Sequence, residues 1–572
     1  MSGPEPLVET AHGPVRGSRA GDVAVFRRVP YAATPAGAAR FAAPIPPVPW
    51  REVRDASGET VSMAPAPARD RIGDLDMTAI SGAPWSPEAP GDYLTVNVWA
   101  PMTPAVERQP VVVFVHGGGF IGGAGSAPAY NGAALARHGL VVVTVNYRLG
   151  AAGWLHLDGA PDNRGLLDVL AALRWVQDNI GAFGGDPDRV TVMGQSAGAT
   201  IVAALLAMPA ATGLFRRAIS QSGNALGAFT RAQAARVTVA LAAVAGVPAT
   251  ADGFAALSDA DLVRYTGELR GLDLTIDAVA DPMLGLSPFS LVLDEATVAA
   301  QPATPVTGAV DLLIGTNTDE ANLYLVPTAG AGDAATMSAL LFGAGTEALA
   351  EAHSAAGGRT FRYEFAWRSD AFEGALGAAH TMELPFVFGT VGLPSLHGPR
   401  SLLGSTSDAD LVSAVIQRAW AGFIRDGDPG WPPSSPGTPV VQRLGAKLPI
   451  KPGNWPATGY PLSPAVRKGN VVAVSGQIPV DPVTGHPVGA TVTDQLEQVF
   501  RNITALLHAA GAVPDDIVSM HVYLRRHEDF AEMNAAYARL APSPHPARTT
   551  VYMSLPGDLL VEVDAIAVLD DR

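Results

Sequence analysis

Short apolar runs alternate with amphipathic stretches between residues 111 and 220. Three of these runs consist almost throughout of β-branched and other apolar residues: 111–115, 141–147 and 190–193. Such runs are typical of strands that are buried on both faces of a parallel sheet. Between the last two runs, apolar residues recur at helical spacing: Leu166, Leu170, Leu173 and Ile180. The pattern predicts an α/β fold in which helices connect the strands of a mostly parallel sheet.

The alternation of strand and helix patterns continues past residue 300 and ends near residue 425. The runs at 311–315 and 361–365 are predicted strands, and 411–425 is a predicted helix with one apolar side. Residues 426–458 are rich in Pro, Gly and Ser and lack a sustained periodicity, which indicates a linker. The predicted organisation is a first domain over 1–440, a Pro/Gly-rich linker over 441–456 and a second domain over 457–572.

The second domain is long enough to hold its own core. Strand and helix patterns alternate in it, at 471–478, 492–507, 516–524 and 528–540, and two closing strands follow. This order predicts an α+β domain. In the last strand the period of two places four residues on one face: Leu560, Glu562, Asp564 and Ile566. We place the two carboxylates on an inner face, where they are costly unless they are paired.

Composition and charge exclude several classes of function. The formal net charge of −16 opposes binding to nucleic acid or to an anionic membrane, because phosphate contacts need a basic surface. The chain has no cysteine, so disulfides, thiolate metal sites and a cysteine nucleophile are excluded. We find neither a signal peptide nor an apolar run of about 18 residues, and therefore expect a soluble, cytoplasmic protein. We expect no cofactor and no metal.

A Gly-x-Ser-x-Gly sequence, with Ser196 at its centre, stands between a predicted strand and a predicted helix. Glycines at both sides relieve crowding in a strained turn, so the Ser196 hydroxyl is expected above the sheet at a helix N-terminus. The amide of Ala197 would then point to the position of an oxyanion. Taken alone, the pentapeptide is also compatible with a tight turn that happens to contain serine.

A second glycine-rich segment, VHGGGF at 115–120, follows another buried strand. The amides of Gly118 and Gly119 could approach a substrate carbonyl there and complete an oxyanion hole with Ala197. The alternative is a flexible loop. Two such segments after strands of one sheet favour an oxyanion hole, and with it a serine hydrolase.

The first domain resembles the type-B carboxylesterases, the cholinesterase-like branch of the α/β-hydrolases, over residues 5–432. The matching segments include GPVRG, LTVNVWAP, VHGGGF, VNYRLGAAGW, VTVMGQSAGA, GLFRRAISQSG, IGTNTDEANLY, GAAHTMELPFVFG and AWAGFIRDGDP. The resemblance implies that Glu320 is the acid and His380 the base of a triad with Ser196. It also implies a supporting role for Ser222, whereas Asp319 is expected to be solvated or to form a turn.

This chain departs from the family pattern at residues 91–94. The family sequence EDCL is GDYL here, so the usual glutamate partner of Arg40 is missing and the family disulfide is absent. The departure affects a loop rather than the expected chemistry.

The second domain resembles the RidA-type imine and enamine deaminases, small chorismate-mutase-like domains that form trimers. The likeness rests on three segments: SPAVRKGNVVAVSGQIPVDPVTG, HVYLRRHEDFAEMNAAYARL and HPARTTVYMSLPGDLLVEVDAIAV. It implies that Arg548 holds a substrate carboxylate and that Glu562 helps to activate water. One interpretation of these charges is an ion pair that only satisfies them. The other is an anion site at a subunit interface of a homotrimer, with a small imine or keto acid as its ligand.

Three hypotheses for the whole chain follow. In the first, Ser196 hydrolyses a carboxylic ester through an acyl-enzyme while the second domain hydrolyses or binds small imines or enamines. In the second, the second domain is only a trimerisation or ligand-binding module. In the third, the chain is a non-catalytic interaction protein, which the presence of Ser196, Glu320 and His380 opposes.

Overall fold

The chain forms two compact units, one up to Leu444 and one from Gly445. A computed structural model describes residues 5–58, 63–88, 92–102, 107–304, 310–405, 409–445, 448–450 and 462–569. The part of the predicted linker at 451–456 lies outside these residues. No helix within the described ranges is both long and apolar enough to cross a bilayer.

The first unit contains the following elements. Its strands are β1 (Leu7–Thr10), β2 (Gly13–Arg16), β3 (Ser18–Ala20), β4 (Val23–Pro30), β5 (Arg54–Asp55), β6 (Arg71–Ile72), β7 (Leu75–Asp76), β8 (Thr95–Pro101), β9 (Gln109–Val115), β10 (Val141–Val145), β11 (Gly185–Gln195), β12 (Arg217–Gln221), β13 (Asp311–Asn317), β14 (Thr360–Phe365) and β15 (Val441–Leu444). Its helices are α1 (Thr78–Ser81), α2 (Ala133–Arg137), α3 (Gly150–Trp154), α4 (Arg164–Asn179), α5 (Ala197–Ala207), α6 (Arg231–Ala245), α7 (Ala251–Ala255), α8 (Asp259–Glu268), α9 (Asn322–Leu325), α10 (Ala334–Ser338), α11 (Ala344–Ala355), α12 (Leu384–Phe388) and α13 (Ala409–Asp426).

A 10-stranded sheet organises the first unit, in the order β15-β14-β13-β12-β11-β9-β10-β8-β4-β3. The strands from β15 to β10 are parallel, whereas β8, β4 and β3 continue the sheet as antiparallel strands. The apolar runs that predicted a parallel sheet are β9, β10 and the end of β11. The prediction of an α/β fold with a mostly parallel sheet is confirmed.

Alternate side chains of β9 enter two apolar cores, which explains why its sequence is apolar throughout. Val111, Val113 and Val115 pack in the core that contains α4 and α5. Val112 and Phe114 pack in the core that contains α12 and α13. Helices therefore cover both faces of the sheet, as the crossover pattern predicted.

The predicted linker over 441–456 contributes a strand to each unit. Val441–Leu444 is β15, which pairs with β14 at the edge of the large sheet. Leu448–Ile450 is a strand of the second unit, β16. Both strands are short and stand next to Pro and Gly, so the sequence carried no period from which to predict them.

The second unit is a 6-stranded sheet covered on one face by two helices, which confirms the predicted α+β fold. The strand order is β16-β17-β18-β21-β19-β20, and β19 with β20 is the parallel pair. The other strands are β17 (Ala465–Lys468), β18 (Val471–Gln477), β19 (Ile517–Leu524), β20 (Ala547–Tyr552) and β21 (Val561–Val568). The helices are α14 (Val492–Ala509) and α15 (Phe530–Leu540).

A buried ion pair supports the loops near the carboxyl end of the large sheet. The Nη2 of Arg148 lies 2.6 Å from Oδ1 of Asp168 on α4, and the two side chains are 1% and 0% exposed. Arg148 also donates through Nη1 to the carbonyl oxygens of Arg40 and Ala42. The pair therefore ties α4 to two other segments.

Asp168→Asn should destabilise the first unit by about 3–5 kcal/mol, because it leaves the Arg148 charge buried without a counter-ion. Asp178→Asn is the matched control on the exposed side of the same helix and should change the free energy of unfolding by less than about 0.5 kcal/mol. Urea denaturation followed by tryptophan fluorescence measures both. Equal stability of the two variants would contradict a supporting role for the pair.

Candidate active site

Ser196 stands in a strained turn between β11 and α5. Its backbone angles are φ 56° and ψ −123°, outside the regions that L-residues prefer. Gly198 permits the tight approach of α5 to the sheet, since a Cβ there would lie 2.1 Å from the carbonyl oxygen of Val115. This is the geometry of a nucleophile elbow, which the Gly-x-Ser-x-Gly sequence predicted.

The glycine loop after β9 lies directly against this turn. A Cβ on Gly117 would lie 2.9 Å from Cβ of Ser196. The Oγ of Ser287 donates a hydrogen bond of 2.6 Å to the carbonyl oxygen of Gly119, which fixes the loop from the other side. Gly118 and Gly119 have φ values of 117° and 60°, so their backbone suits glycine. The role of their amides and that of Ala197 as oxyanion donors remains a prediction.

His116 holds the start of the glycine loop as a neutral imidazole. Its Nδ1 lies 2.7 Å from the carbonyl oxygen of Gly117, and its ring stacks on Tyr147 at 4.6 Å. Burial lowers its pKa to about 4, so Nδ1 can act as a neutral donor at physiological pH. His116 is a positioning residue that the sequence analysis missed.

Glu320 and His380 form a short, buried hydrogen bond. Oε2 of Glu320 and Nδ1 of His380 are 2.6 Å apart, and both side chains are 2% exposed. The other oxygen of Glu320 accepts hydrogen bonds from Oγ of Ser222 at 2.5 Å and from the amide of Asn317 at 2.7 Å. The structure thus brings together the three residues that the resemblance assigned as acid, base and support. With Nδ1 as the donor, Nε2 of His380 is free to accept a proton.

The second nitrogen of His380 faces the serine turn. Nε2 lies 3.3 Å from the side-chain amide nitrogen of Gln195, the residue that precedes Ser196. The ring of Phe342 stacks on the imidazole at 4.2 Å and fixes its plane. A hydrogen bond from Oγ of Ser196 to Nε2 of His380 remains a prediction.

Asp319 connects the segment that carries Glu320 to the segment that carries His380. Its Oδ2 accepts hydrogen bonds from Nη1 of Arg368 at 2.6 Å and from the amide of Ala378 at 2.9 Å. Its own amide donates to the carbonyl oxygen of Ala378 at 3.0 Å. Asp319 lies in a turn, which was one of its two expected roles, and its side chain is 22% exposed. It also anchors the segment that carries His380.

A second buried carboxylate, Glu383, shares Asn317 as a hydrogen-bond donor with Glu320. It accepts hydrogen bonds from Gln221 at 3.1 Å and from Asn317 at 2.8 Å, and its side chain is almost fully enclosed. Burial, followed by the charge of Glu320, raises the pKa of Glu383 to about 7. The sequence held no signal for this network, because its members are far apart along the chain.

Arg40 has an ion-pair partner from a different segment than the family pattern predicts. Its Nε lies 3.0 Å from Oδ1 of Asp259 at the start of α8, and its Nη1 donates to the carbonyl oxygen of Leu257. The aspartate that remains in GDYL, Asp92, instead pairs with Arg54 and accepts a hydrogen bond from Thr34. The charge lost from the family segment is therefore supplied by α8.

In the second unit, Arg548 and Glu562 lie on opposite faces of the sheet. Arg548 pairs in register with the buried Met520, donates to Asn534 on α15 at 2.8 Å and stacks over the ring of Tyr537 at 4.5 Å. Glu562 pairs in register with Tyr523 on the face that the helices leave open. The interpretation as an ion pair of Arg548 with these carboxylates is therefore wrong for the single chain.

Asp564 on the open face has partners that the sequence analysis missed. Its two oxygens lie 2.8 Å from Nδ1 of His521 and 2.9 Å from the Tyr523 hydroxyl. The predicted alternation is confirmed within β21 but not for Leu560, which precedes the strand and packs in the same core as Val561. Glu562 and Asp564 are half-buried on the open face rather than on an inner one. Burial and the charge of Asp564 raise the pKa of Glu562. Gly476 leaves room for this side chain, since a Cβ there would lie 1.9 Å from Oε1 of Glu562.

Comparisons with known proteins agree with the geometry of the first unit. The model of the carboxylesterase family matches residues 4–334 and 329–447. The chain belongs to the carboxylesterase family. The para-nitrobenzyl esterase of Bacillus subtilis (strain 168) is 37% identical over 475 residues, covering 74% of this chain and 92% of its own. The phenmedipham hydrolase of Pseudarthrobacter oxydans is 32% identical, covering 77% of this chain and 95% of its own.

Solved structures give the same result for the fold of this carboxylesterase. A PNB esterase superposes with a TM-score of 0.67 at 33% identity, covering 77% of this chain and 96% of its own. A carboxylesterase of Geobacillus stearothermophilus superposes with a TM-score of 0.63 at 30% identity, covering 76% of this chain and 96% of its own. The family model described as Endoribonuclease L-PSP matches residues 453–569, which confirms the RidA-type resemblance of the second domain.

Glu383→Gln should change how stability depends on pH. The pKa of Glu383 rises from 4.5 to about 7 on folding, so the folded state binds the proton more tightly than the unfolded state. Its contribution to the free energy of unfolding should therefore fall by about 1–3 kcal/mol as pH rises from about 4.5 to 7. The glutamine variant should lack this decline, as measured by chemical denaturation at a series of pH values. Parallel pH profiles for the two proteins would contradict the raised pKa.

Proposed function

We propose that the first domain is a serine carboxylesterase in which Ser196, Glu320 and His380 form the catalytic triad. The observation that supports this most directly is the buried hydrogen bond between Glu320 and His380, whose other nitrogen faces the Ser196 turn. Of the similar proteins, one relative is named an esterase, another a hydrolase, and one solved structure a carboxylesterase. The small-molecule ester is therefore the proposed substrate class.

In the proposed reaction, Nε2 of His380 accepts the proton of the Ser196 hydroxyl while Oγ attacks the ester carbonyl. The oxyanion of the tetrahedral intermediate accepts hydrogen bonds from the amides of Gly118, Gly119 and Ala197. The protonated His380, stabilised by the carboxylate of Glu320, then donates its proton to the leaving alcohol. Water activated by the same imidazole hydrolyses the acyl-enzyme.

Ser196→Ala should abolish ester cleavage and labelling by a fluorophosphonate, because both require the serine oxygen as nucleophile. His380→Ala should lower kcat by a comparable factor, about 10⁴-fold or more, since triad residues act as a unit. Intact-mass spectrometry counts the labels, peptide mapping locates them, and para-nitrophenyl butyrate reports turnover. Ser220→Ala is the control for folding. It removes a serine hydroxyl two residues before Ser222 and should retain turnover. Full turnover by Ser196→Ala would overturn the assignment.

We further propose that the second domain hydrolyses small imines or enamines and assembles the chain into a homotrimer. Since Arg548 and Glu562 lie on opposite faces of one sheet, a shared site needs residues from two copies. The open face also carries exposed apolar side chains, Val551 at 41% and Ile566 at 38%, whose burial would favour association. The half-buried Glu562, with its raised pKa, suits proton transfer to water.

The alternative for the second domain is a trimerisation or ligand-binding module without turnover. Its family description names an endoribonuclease. The net charge of −16 disfavours an RNA substrate for this chain, because phosphate contacts need basic surface. An assay of ammonia release from a 2-imino acid separates a deaminase from a binding module.

Arg548→Ala should abolish release of ammonia from a 2-imino acid generated in situ, because the guanidinium supplies the contact to the substrate carboxylate. Arg539→Ala on α15, an exposed arginine of the same region, is the matched control and should retain activity. Light scattering on both variants checks that the proposed trimer persists. Wild-type protein that binds keto acids without accelerating imine decay would favour the binding module instead.

A further inference from the structure

The side chain of Arg69 runs along the outer side of the glycine loop at the candidate active site. A Cβ on Gly122 would lie 2.8 Å from Cδ of Arg69, and a Cβ on Gly119 would lie 3.9 Å from its Nη1. Gly119 is one of the proposed oxyanion donors. The guanidinium therefore stands within a few ångströms of the loop that would receive the substrate carbonyl.

The guanidinium of Arg69 is also near Tyr324, which lies beside His380. Its charge interacts with Tyr324, whose ring centroid lies 6.0 Å from that of His380. Arg69 and Tyr324 are both half-buried, so each packs against protein while part of its surface stays accessible. Arg69 thus lies against the glycine loop and close enough to Tyr324 for their charges to interact.

No carboxylate among the described residues pairs with Arg69, and no described group accepts a hydrogen bond from it. Burial and, to a smaller extent, the charge of another cation, Arg270, lower the pKa of Arg69. Two fully buried arginines of this unit are satisfied by the protein: Arg148 pairs with Asp168, and Arg164 donates to the carbonyl oxygens of Ala151, Ala152, Leu155 and Pro161.

A partly desolvated guanidinium without a partner costs stability, because it has lost part of its hydration and gained no counter-ion. It remains charged at neutral pH, since even a lowered arginine pKa lies far above it. An anion that entered the site would find a cation that no protein group competes for. The fork of donors fits a carboxylate in a bidentate arrangement.

We propose that Arg69 is a specificity-determining residue that binds a carboxylate on the ester substrate, so that the enzyme prefers anionic esters. This inference rests on the proposed esterase function of Ser196. A carboxylate could stand on the acyl part or on the alcohol part of the ester. The chemistry of recognition is the same in both cases, and the two are separated by the choice of substrate.

The test compares kcat/KM for matched pairs of esters in the wild-type protein and in Arg69→Met. Mono-para-nitrophenyl glutarate and para-nitrophenyl pentanoate differ by a carboxylate on the acyl part. Para-carboxyphenyl pentanoate and its methyl ester differ by a carboxylate on the alcohol part. For one of the pairs, the ratio of anionic to neutral kcat/KM should fall by about 30-fold or more in Arg69→Met, as expected for loss of a partly buried charge pair.

Two further variants make the result specific to this side chain. Arg71→Met removes the same charge from an exposed position two residues along the chain and should leave the ratio unchanged. Arg69→Lys should restore part of the preference, because it keeps the charge but not the bidentate geometry. Arg69→Met should also unfold at the same or a higher urea concentration than wild type, since the lost cation had no partner.

The outcomes separate the two proposals. Wild-type hydrolysis of the neutral esters with no fall in either ratio would overturn the inference and leave the esterase assignment intact. An equal loss of kcat on neutral and anionic esters would also overturn it, because Arg69 would then act on the oxyanion rather than on a substrate carboxylate. Hydrolysis of none of the four esters would overturn the proposed esterase function itself.

Discussion

The candidate active site depends on the register of four neighbouring parallel strands that end at the same level. Gly194 of β11 lies opposite Val115 of β9, Gln195 opposite Gln221 of β12, and Gln221 opposite Gly315 of β13. The segments that follow these strands supply the glycine loop, Ser196, Ser222 and Glu320. Because parallel strands present their carboxyl ends on one edge, Ser222 and Glu320 become neighbours although they are 98 residues apart along the chain. A shift of one residue in this register would separate the acid from its supporting serine.

The sequence predicted those parts of the site that depend on local geometry. Gly194 and Gly198 around Ser196, and the glycines of VHGGGF, mark turns whose backbone demands can be read from neighbouring residues. The pairing of Glu320 with His380 depends on tertiary contacts, and only the family resemblance indicated it. Glu383, Ser287 and Arg69 were missed for the same physical reason. Each acts through contacts with distant segments, and its own neighbours in the chain form no motif.

The second domain shows a different limit of prediction. A period of two predicted which residues of β21 share a face, and the burial of Val561, Val563, Ala565 and Ala567 agrees. The period does not tell which face receives the helices, so Glu562 and Asp564 were expected on an inner face and lie on the open one. In the order β21-β19-β20, one strand lies between the strand of Glu562 and the strand of Arg548. Arg548 is paired with the buried Met520, so it lies on the face that the helices cover. Strand order is a tertiary property that a single strand does not encode.

The enclosed charges of the first unit differ in whether the protein itself satisfies them, and this difference carries functional information. Arg148 meets a carboxylate and Arg164 meets carbonyl oxygens, so both charges hold segments of the fold in place. Glu383 shares its site with the charge of Glu320 and is kept near neutrality by its raised pKa. Arg69 is neither paired nor neutralised. No group among the described residues accepts a hydrogen bond from it, and arginine stays protonated. A fold that retains such a cation beside the glycine loop of the candidate site loses stability at that point. The most economical physical reason is that the missing partner arrives with the substrate.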